Sequence, residues 1–149
     1  MTWAAHHHRD DVLRAVLAEA ASRRDGVLPA HLPGVAETFE DETELVGALG
    51  LRWHTRLAGA IERELMEQPM DLEAAVVAAW RRADADLPGV HPILEHYADE
   101  PVDESMATAL SRSRRKDWTL MAAMAGQASI ADRSAEHAGR AIEERAAAA

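Results

Sequence analysis

The sequence predicts an all-α protein, an antiparallel bundle of four to five main helices with one additional short helix. Hydrophobic residues make up 48% of the chain and include much alanine, whereas aromatic residues make up 4%, a composition typical of helices. Segments with a period of about 3.6 residues alternate with Pro and Gly breaks, and short connections favour antiparallel neighbours. With 149 residues, we expect a single domain over 1–149, with mobile ends at 1–9 and 146–149.

The most strongly periodic segment, 41–67, organises the predicted core. Its apolar side chains, Trp53 among them, fall within one arc of about 160° on a helical wheel. Gly47, Gly50 and Ala58 lie beside that arc, where small residues let a second backbone approach closely. Because the last helix of the chain is only weakly apolar, we expect a second subunit rather than an internal helix on this face, in a two-fold homodimer.

Cap and stop signals place the other helices. Asp71 suits a helix N-cap or first-turn position, and His91 before Pro92 has the arrangement of an N-cap followed by a first-turn proline. Ser129 and Asp132 resemble a capping box in which aspartate replaces the usual Glu or Gln. The predicted helices cover about 10–24, 41–67, 71–86, 91–98, 103–125 and 129–145, with a loop at 26–41 that holds at most one helical turn. Asp103 is a further candidate cap. Met124 is expected on the inner face of the helix over 103–125, and Ile130 among the few apolar contacts of the last helix.

Charge and composition restrict the compartment and the partners. The chain has no cysteine, which favours a reducing cytoplasm and excludes disulfides and thiolate metal sites. The longest apolar run, 74–80, is too short to cross a bilayer, and the first residues lack the apolar segment of a signal peptide. A formal net charge of −10 at pH 7 opposes wholesale binding to nucleic acid or to anionic lipid.

Histidines and carboxylates at helical spacing form the densest set of candidate metal ligands. His91 and Glu95 are four residues apart, His96 follows them, and His54 lies at the edge of the central apolar arc. Such donors suit iron, zinc or haem. However, one short helix supplies too few ligands, and the chain lacks the Glu-x-x-His and His-Glu-x-x-His patterns of helical metal sites. We therefore predict a structural role for each histidine and no resident metal.

The remaining histidines have similar alternatives. Glu64 lies near the middle of the central arc, about three turns beyond His54, so a buried histidine–carboxylate pair is the functional alternative to two ordinary boundary residues. His31 is expected over the core, and His137 lies on the least hydrophobic helix. A mobile terminus, a metal-binding cluster or a purification tag would each account for His6, His7 and His8.

Two further sets of residues are candidates for binding. Four bases in five positions on the helix over 103–125 form a collar, because helical geometry spreads consecutive residues around the cylinder. The collar would contact an acidic partner or phosphate, or pair with the chain's own carboxylates. Tryptophans and a methionine are expected in the packed core, Trp53 and Trp80 above all, with a small apolar ligand pocket as the alternative. The collar comprises Arg112, Arg114, Arg115 and Lys116, and the pocket candidates are Trp53, Trp80, Trp118 and Met121.

The segments LRWHTRLAGAIERELMEQP and DLEAAVVAAWRRADADLPGVHPILEHY resemble helical proteins of unassigned function from high-GC actinobacteria. The resemblance covers about 45–100 and includes no catalytic motif, so it implies a helical fold and a bacterial cytoplasmic origin. The leading hypothesis is an oligomeric or partner-binding module without catalytic chemistry of its own. The alternatives are a metal- or haem-binding redox or storage protein and a regulator with an apolar ligand pocket.

Overall fold

The structure is a computed structural model that describes residues 3–129 and 131–148. All regular secondary structure in these ranges is helical, which confirms the predicted all-α class. The helices include five of at least 14 residues and one of 10, in agreement with the main and short helices predicted. They are α1 (Trp3–Arg23), α2 (Val35–Thr38), α3 (Glu42–Glu67), α4 (Leu72–Asp86), α5 (Val90–Asp99), α6 (Glu104–Met124) and α7 (Ser134–Ala147).

The chain forms two compact units, each assembled from two separate segments. Unit 1 consists of Met1–Gly50 and Leu87–Leu110, and unit 2 consists of Leu51–Asp86 and Ser111–Ala149. Helices α3 and α6 contribute residues to both units. The single domain expected over 1–149 stays a prediction, because compact units are defined by contacts, whereas a domain is defined by its ability to fold independently. None of the described helices is long and apolar enough to cross a membrane.

In unit 1, α1 contacts both α2 and α5. Its buried side chains, among them Val16 at 0% exposure, form one stripe along the helix. Gly89 begins α5 with a φ of 83°, and a Cβ at this position would overlap the carbonyl of Ala20. Only glycine satisfies both demands, so Gly89 lets the start of α5 lie directly against α1.

In unit 2, α4 packs on α7 around two tryptophans. Trp53 is fully buried and Trp80 is 4% exposed. Their rings meet edge to face, with centroids 5.6 Å apart and an interplanar angle of 72°, the geometry that aromatic quadrupoles favour. The prediction that both rings belong to the core is therefore confirmed.

Gly139 on α7 marks the closest helix approach in unit 2. A Cβ built on it would overlap the backbone carbonyl of Trp118 on α6, so the absence of a side chain is what lets the two backbones meet. Gly47 is exposed, and apart from its own helix backbone no described atom lies within 4 Å of the Cβ it would carry. Gly59 is only partly exposed, but the space beside it is equally open. The described residues therefore provide no internal helix contact at Gly47, and the second subunit expected there stays a prediction.

Two of the predicted helix caps are confirmed. Asp71 Oδ1 accepts a hydrogen bond of 3.0 Å from the backbone N–H of Ala74, and Asp103 Oδ1 accepts one of 2.8 Å from Met106. Each carboxylate thus satisfies one of the N–H groups that have no partner within the helix, and its negative charge complements the helix dipole.

Three helix ends differ from the predictions. Helix α1 begins at Trp3 rather than near Asp10, since no proline or glycine interrupts the first residues. His91 is not a cap, because Gly89 occupies the N-cap of α5 and His91 lies inside the first turn. Helix α7 begins at Ser134 rather than at the predicted Ser129, after Asp132 accepts a 2.9 Å hydrogen bond from the Ser134 N–H. The predicted apolar contact at Ile130 lies outside the described residues.

Candidate functional site

Asp117 on α6 is the one charged residue classed as buried among the described residues, at 6% exposure. Its Oδ1 lies 2.7 Å from Nδ1 of His54 on α3, whose side chain is 33% exposed. The hydrogen bond that the His54 imidazole donates to Asp117 raises the pKa of His54 above its ordinary value, and the carboxylate charge adds to this, whereas burial and the nearby Lys116 oppose it. With Nδ1 held by a carboxylate, Nε2 is the nitrogen available for proton transfer or ligand binding.

A histidine–carboxylate pair, the alternative to two ordinary boundary residues, is therefore present at His54, but its carboxylate is Asp117 and not Glu64. Glu64 instead accepts a 3.2 Å hydrogen bond from the side-chain amide of Gln68, one turn further along. Spacing along a single helix suggested Glu64, whereas the true partner is 63 residues away. A contact between α3 and α6 could not be read from the periodicity of either helix.

Stability should depend on pH through this pair. Because the folded-state pKa of His54 is raised, its interaction with Asp117 stabilises the fold fully below the unfolded pKa of about 6.5, and this contribution is lost as pH rises through the folded value. We expect the difference in unfolding free energy between the wild type and His54→Gln to shrink from about pH 6 to about pH 9, as measured by urea denaturation.

Asp117→Asn provides the control, because it replaces the carboxylate by an amide. When His54→Gln is made in the Asp117→Asn protein, the resulting change in unfolding free energy should depend little on pH. A wild-type advantage over His54→Gln that stays constant across the same range would contradict the charged pair.

The other candidate metal ligands lie in unit 1 and form pairs rather than a cluster. His91 Nδ1 is 3.9 Å from Glu95 Oε2, and His96 Nε2 is 3.9 Å from Glu100 Oε2, both along α5. Within the described ranges, no group of three or more histidines and carboxylates could hold a metal ion. Iron, zinc or haem binding stays an alternative hypothesis, and the absence of a resident metal stays a prediction.

The remaining histidines lie at the surface. His31 is exposed, and so is His137 on α7. In α1, His6 Nε2 is 3.8 Å from Asp10, and His7 stacks on Trp3 with ring centroids 5.1 Å apart. Both contacts join residues four apart, which are ordinary neighbours on the surface of a helix.

The side chains proposed to line a ligand pocket are all buried: Trp53, Trp80, Trp118 and Met121 range from 0% to 7% exposure. One carboxylate, Glu143 on α7, joins two of these rings. Its Oε2 accepts a 3.1 Å hydrogen bond from Trp80 Nε1, and its Oε1 accepts one of 3.2 Å from Trp118 Nε1. Glu143 thereby satisfies two indole N–H groups of the core of unit 2.

A pocket of about 200 Å³ lies elsewhere, in unit 1. Its lining includes Phe39 and the carboxylate-bearing residues Glu40, Asp41 and Glu42. This acidic segment has a structural role, since Asp41 Oδ1 accepts from the Glu44 N–H and Glu44 Oε2 accepts from the Glu40 N–H, both at 2.8 Å. The reciprocal bonds cap the start of α3 in the manner of a capping box.

Two residues of the basic collar contact other side chains of the same chain. The guanidinium of Arg114 lies over the Trp118 ring, 4.9 Å from its centroid, and Arg115 Nε is 3.9 Å from Glu136 Oε2. Arg112 and Lys116 are exposed. Pairing with a carboxylate of the chain, one of the two alternatives for the collar, is thus seen for Arg115, whereas the contact of Arg114 is with an aromatic ring.

Sequence reasoning missed an exposed apolar surface in unit 2, which we call the methionine surface. Helix α3 ends and α4 begins around a turn in which the Asp71 N–H donates to the Gln68 carbonyl at 3.3 Å. A Cβ at Gly126 would lie 3.3 Å from Leu72 Cδ1, which places the chain just after α6 beside the start of α4. The surface consists of Met66 (83% exposed), Met70 (96%), Leu72 (40%) and Met124 (36%).

Met124 was expected to face inward and instead contributes to this surface. It is the last residue of α6, where the core no longer covers the helix. Apolar residues near the end of the predicted helix were the available signal: Met66 lies in its last turn, and Met70 directly follows the helix-ending Pro69.

No protein-family model matches the chain, and no curated protein or solved structure shows significant similarity to it. The resemblance to actinobacterial helical proteins thus stays a prediction, and the function is inferred from the residues of the chain alone.

Proposed function

We propose that the protein is a partner-binding module that docks through the methionine surface. The observation that carries this proposal is the exposure of Met66 and Met70, at 83% and 96%, around the turn that leads to the partly exposed Leu72. The partly exposed Met124 precedes Gly126, which lies beside Leu72. Contiguous apolar side chains at a protein surface are typical of interaction sites, whereas single exposed ones are ordinary. A cytoplasmic location belongs to the proposal and is supported by the absence of cysteine.

The adaptability of methionine also favours docking. Its unbranched side chain fits differently shaped apolar partners, and such residues are common on surfaces that bind proteins. Exposed methionine has little structural use in a fold whose core already contains Met106 and Met121 at 0% exposure.

Site-specific photo-crosslinking tests the proposal. A photoreactive amino acid is incorporated in place of Met70 in the cells that produce the protein. Irradiation should then give a defined covalent adduct with another protein, of reproducible mass, and the substitution Met66→Gln should abolish this adduct. The control position is Val102 in unit 1, an exposed apolar residue at 53% outside the methionine surface. Adduct patterns that are the same at positions 70 and 102, or that are unaffected by Met66→Gln, would contradict docking at this surface.

A homodimer remains the second proposed form of association. Gly47 is exposed, and the open space beside it leaves room for the backbone of a second subunit. Light scattering over a dilution series measures this directly, and a monomer of about 16 kDa at every concentration would rule the dimer out.

A further inference from the structure

The methionine surface combines an ordered backbone with flexible side chains. The turn between α3 and α4 is fixed at the α3 side by a hydrogen bond of 2.8 Å, which the Gln68 N–H donates to the Glu64 carbonyl. At its second end, Asp71 caps α4 through the Ala74 N–H. A partner therefore meets a backbone that is already arranged, and only the methionine side chains of Met66 and Met70 must lose freedom on binding.

The charges around this surface are strongly negative. Five carboxylates and one guanidinium lie between residues 62 and 73. Three of the carboxylates are engaged: Asp71 caps α4, Glu64 accepts from Gln68, and Glu73 pairs with Arg145 and accepts from Gln127. In the part of the chain that the structure describes, Glu62 and Glu67 are exposed and have no ion pair.

Glu67 also stands where a carboxylate is least favoured by its own helix. It is the last residue of α3, and no basic residue occupies the last turn of that helix. The carbonyl groups at a helix C-terminus carry a partial negative charge, so the carboxylate adds to it rather than compensating it. A cation placed here by a partner would interact with both charges.

We propose that the methionine surface binds a basic amphipathic helix of another protein, an inference that rests on the docking function proposed above. The apolar stripe of such a helix would cover Met66, Met70 and Leu72, while its Lys or Arg side chains would pair with Glu62 and Glu67. An anionic membrane and a second copy of this chain fit this surface less well, because its exposed carboxylates Glu62 and Glu67 would repel an anionic membrane and would face their own copies across a dimer. Carboxylate-bearing residues line the pocket in unit 1 as well, namely Glu40, Asp41 and Glu42.

Two labelled peptides of about 18 residues test the inference. They share one leucine stripe at helical spacing, and their polar faces carry lysine in the first and glutamate in the second. Fluorescence anisotropy should show saturable binding of the lysine peptide, with an affinity at least about tenfold higher than that of the glutamate peptide. The double substitution Met66→Gln/Met70→Gln leaves every charge in place and should weaken lysine-peptide binding by about tenfold.

Glu62→Gln/Glu67→Gln should weaken lysine-peptide binding about fivefold. Glu37→Gln/Glu104→Gln, which neutralises two exposed carboxylates in unit 1, should leave it unchanged. Equal binding of both peptides, or no effect of the Glu62 and Glu67 changes, would overturn the basic partner while leaving the docking surface intact. Binding that is indifferent to Met66→Gln/Met70→Gln would overturn the docking surface as well.

Discussion

Replacing Gly139 by alanine is expected to lower the free energy of unfolding by about 3 kcal/mol. The added Cβ would overlap the backbone carbonyl of Trp118, and backbone atoms cannot rotate away as the end of a flexible side chain can. Helix α7 would therefore have to move away from α6, which would also disturb the hydrogen bonds from the two indoles to Glu143. Urea denaturation of the variant and the wild type measures the loss.

Gly59→Ala is the matched control within unit 2. No described atom lies within 4 Å of the new Cβ, so the better helix propensity of alanine should act alone and stabilise the protein by about 0.5–1 kcal/mol. Opposite signs for the same chemical change at two helical glycines would identify Gly139 as the position where the backbones meet. Equal effects of the two substitutions would contradict that contact.

Trp53→Ala is expected to cost about 3–5 kcal/mol of stability, because the ring is fully buried and its removal leaves a large cavity next to Trp80. Calorimetry or urea denaturation measures the loss, which should be accompanied by a changed near-ultraviolet circular dichroism signal of Trp80.

Trp3→Ala is the control, since Trp3 is 80% exposed, and a surface substitution of this kind changes stability by less than about 0.5 kcal/mol. A Trp53→Ala variant as stable as Trp3→Ala would show that the ring does not belong to the core.

The elements that could be predicted from the sequence are those determined by local physics. A period of 3.6 residues in the apolar side chains indicated α3, and it placed Trp53 in the core, because the pattern and the burial have the same cause. Asp71 and Asp103 were recognisable as starts of helices because a cap acts on N–H groups two or three residues ahead.

The features that escaped prediction arise from contacts between distant parts of the chain. The partner of His54 proved to be Asp117, and Glu143 binds two indoles that lie 63 and 25 residues away from it. Gly139 likewise has its role only because Trp118 lies opposite. None of these pairs has a characteristic spacing, so only a three-dimensional arrangement identifies them.

Methyl NMR of the methionines tests docking at the methionine surface most directly. The chain has six methionines, of which Met106 and Met121 are fully buried and serve as internal references. On titration with the leucine–lysine peptide, the methyl signals of Met66 and Met70 should shift saturably, whereas those of the two buried methionines should stay in place. Signals of Met66 and Met70 that remain unshifted at saturating peptide would contradict docking at this surface.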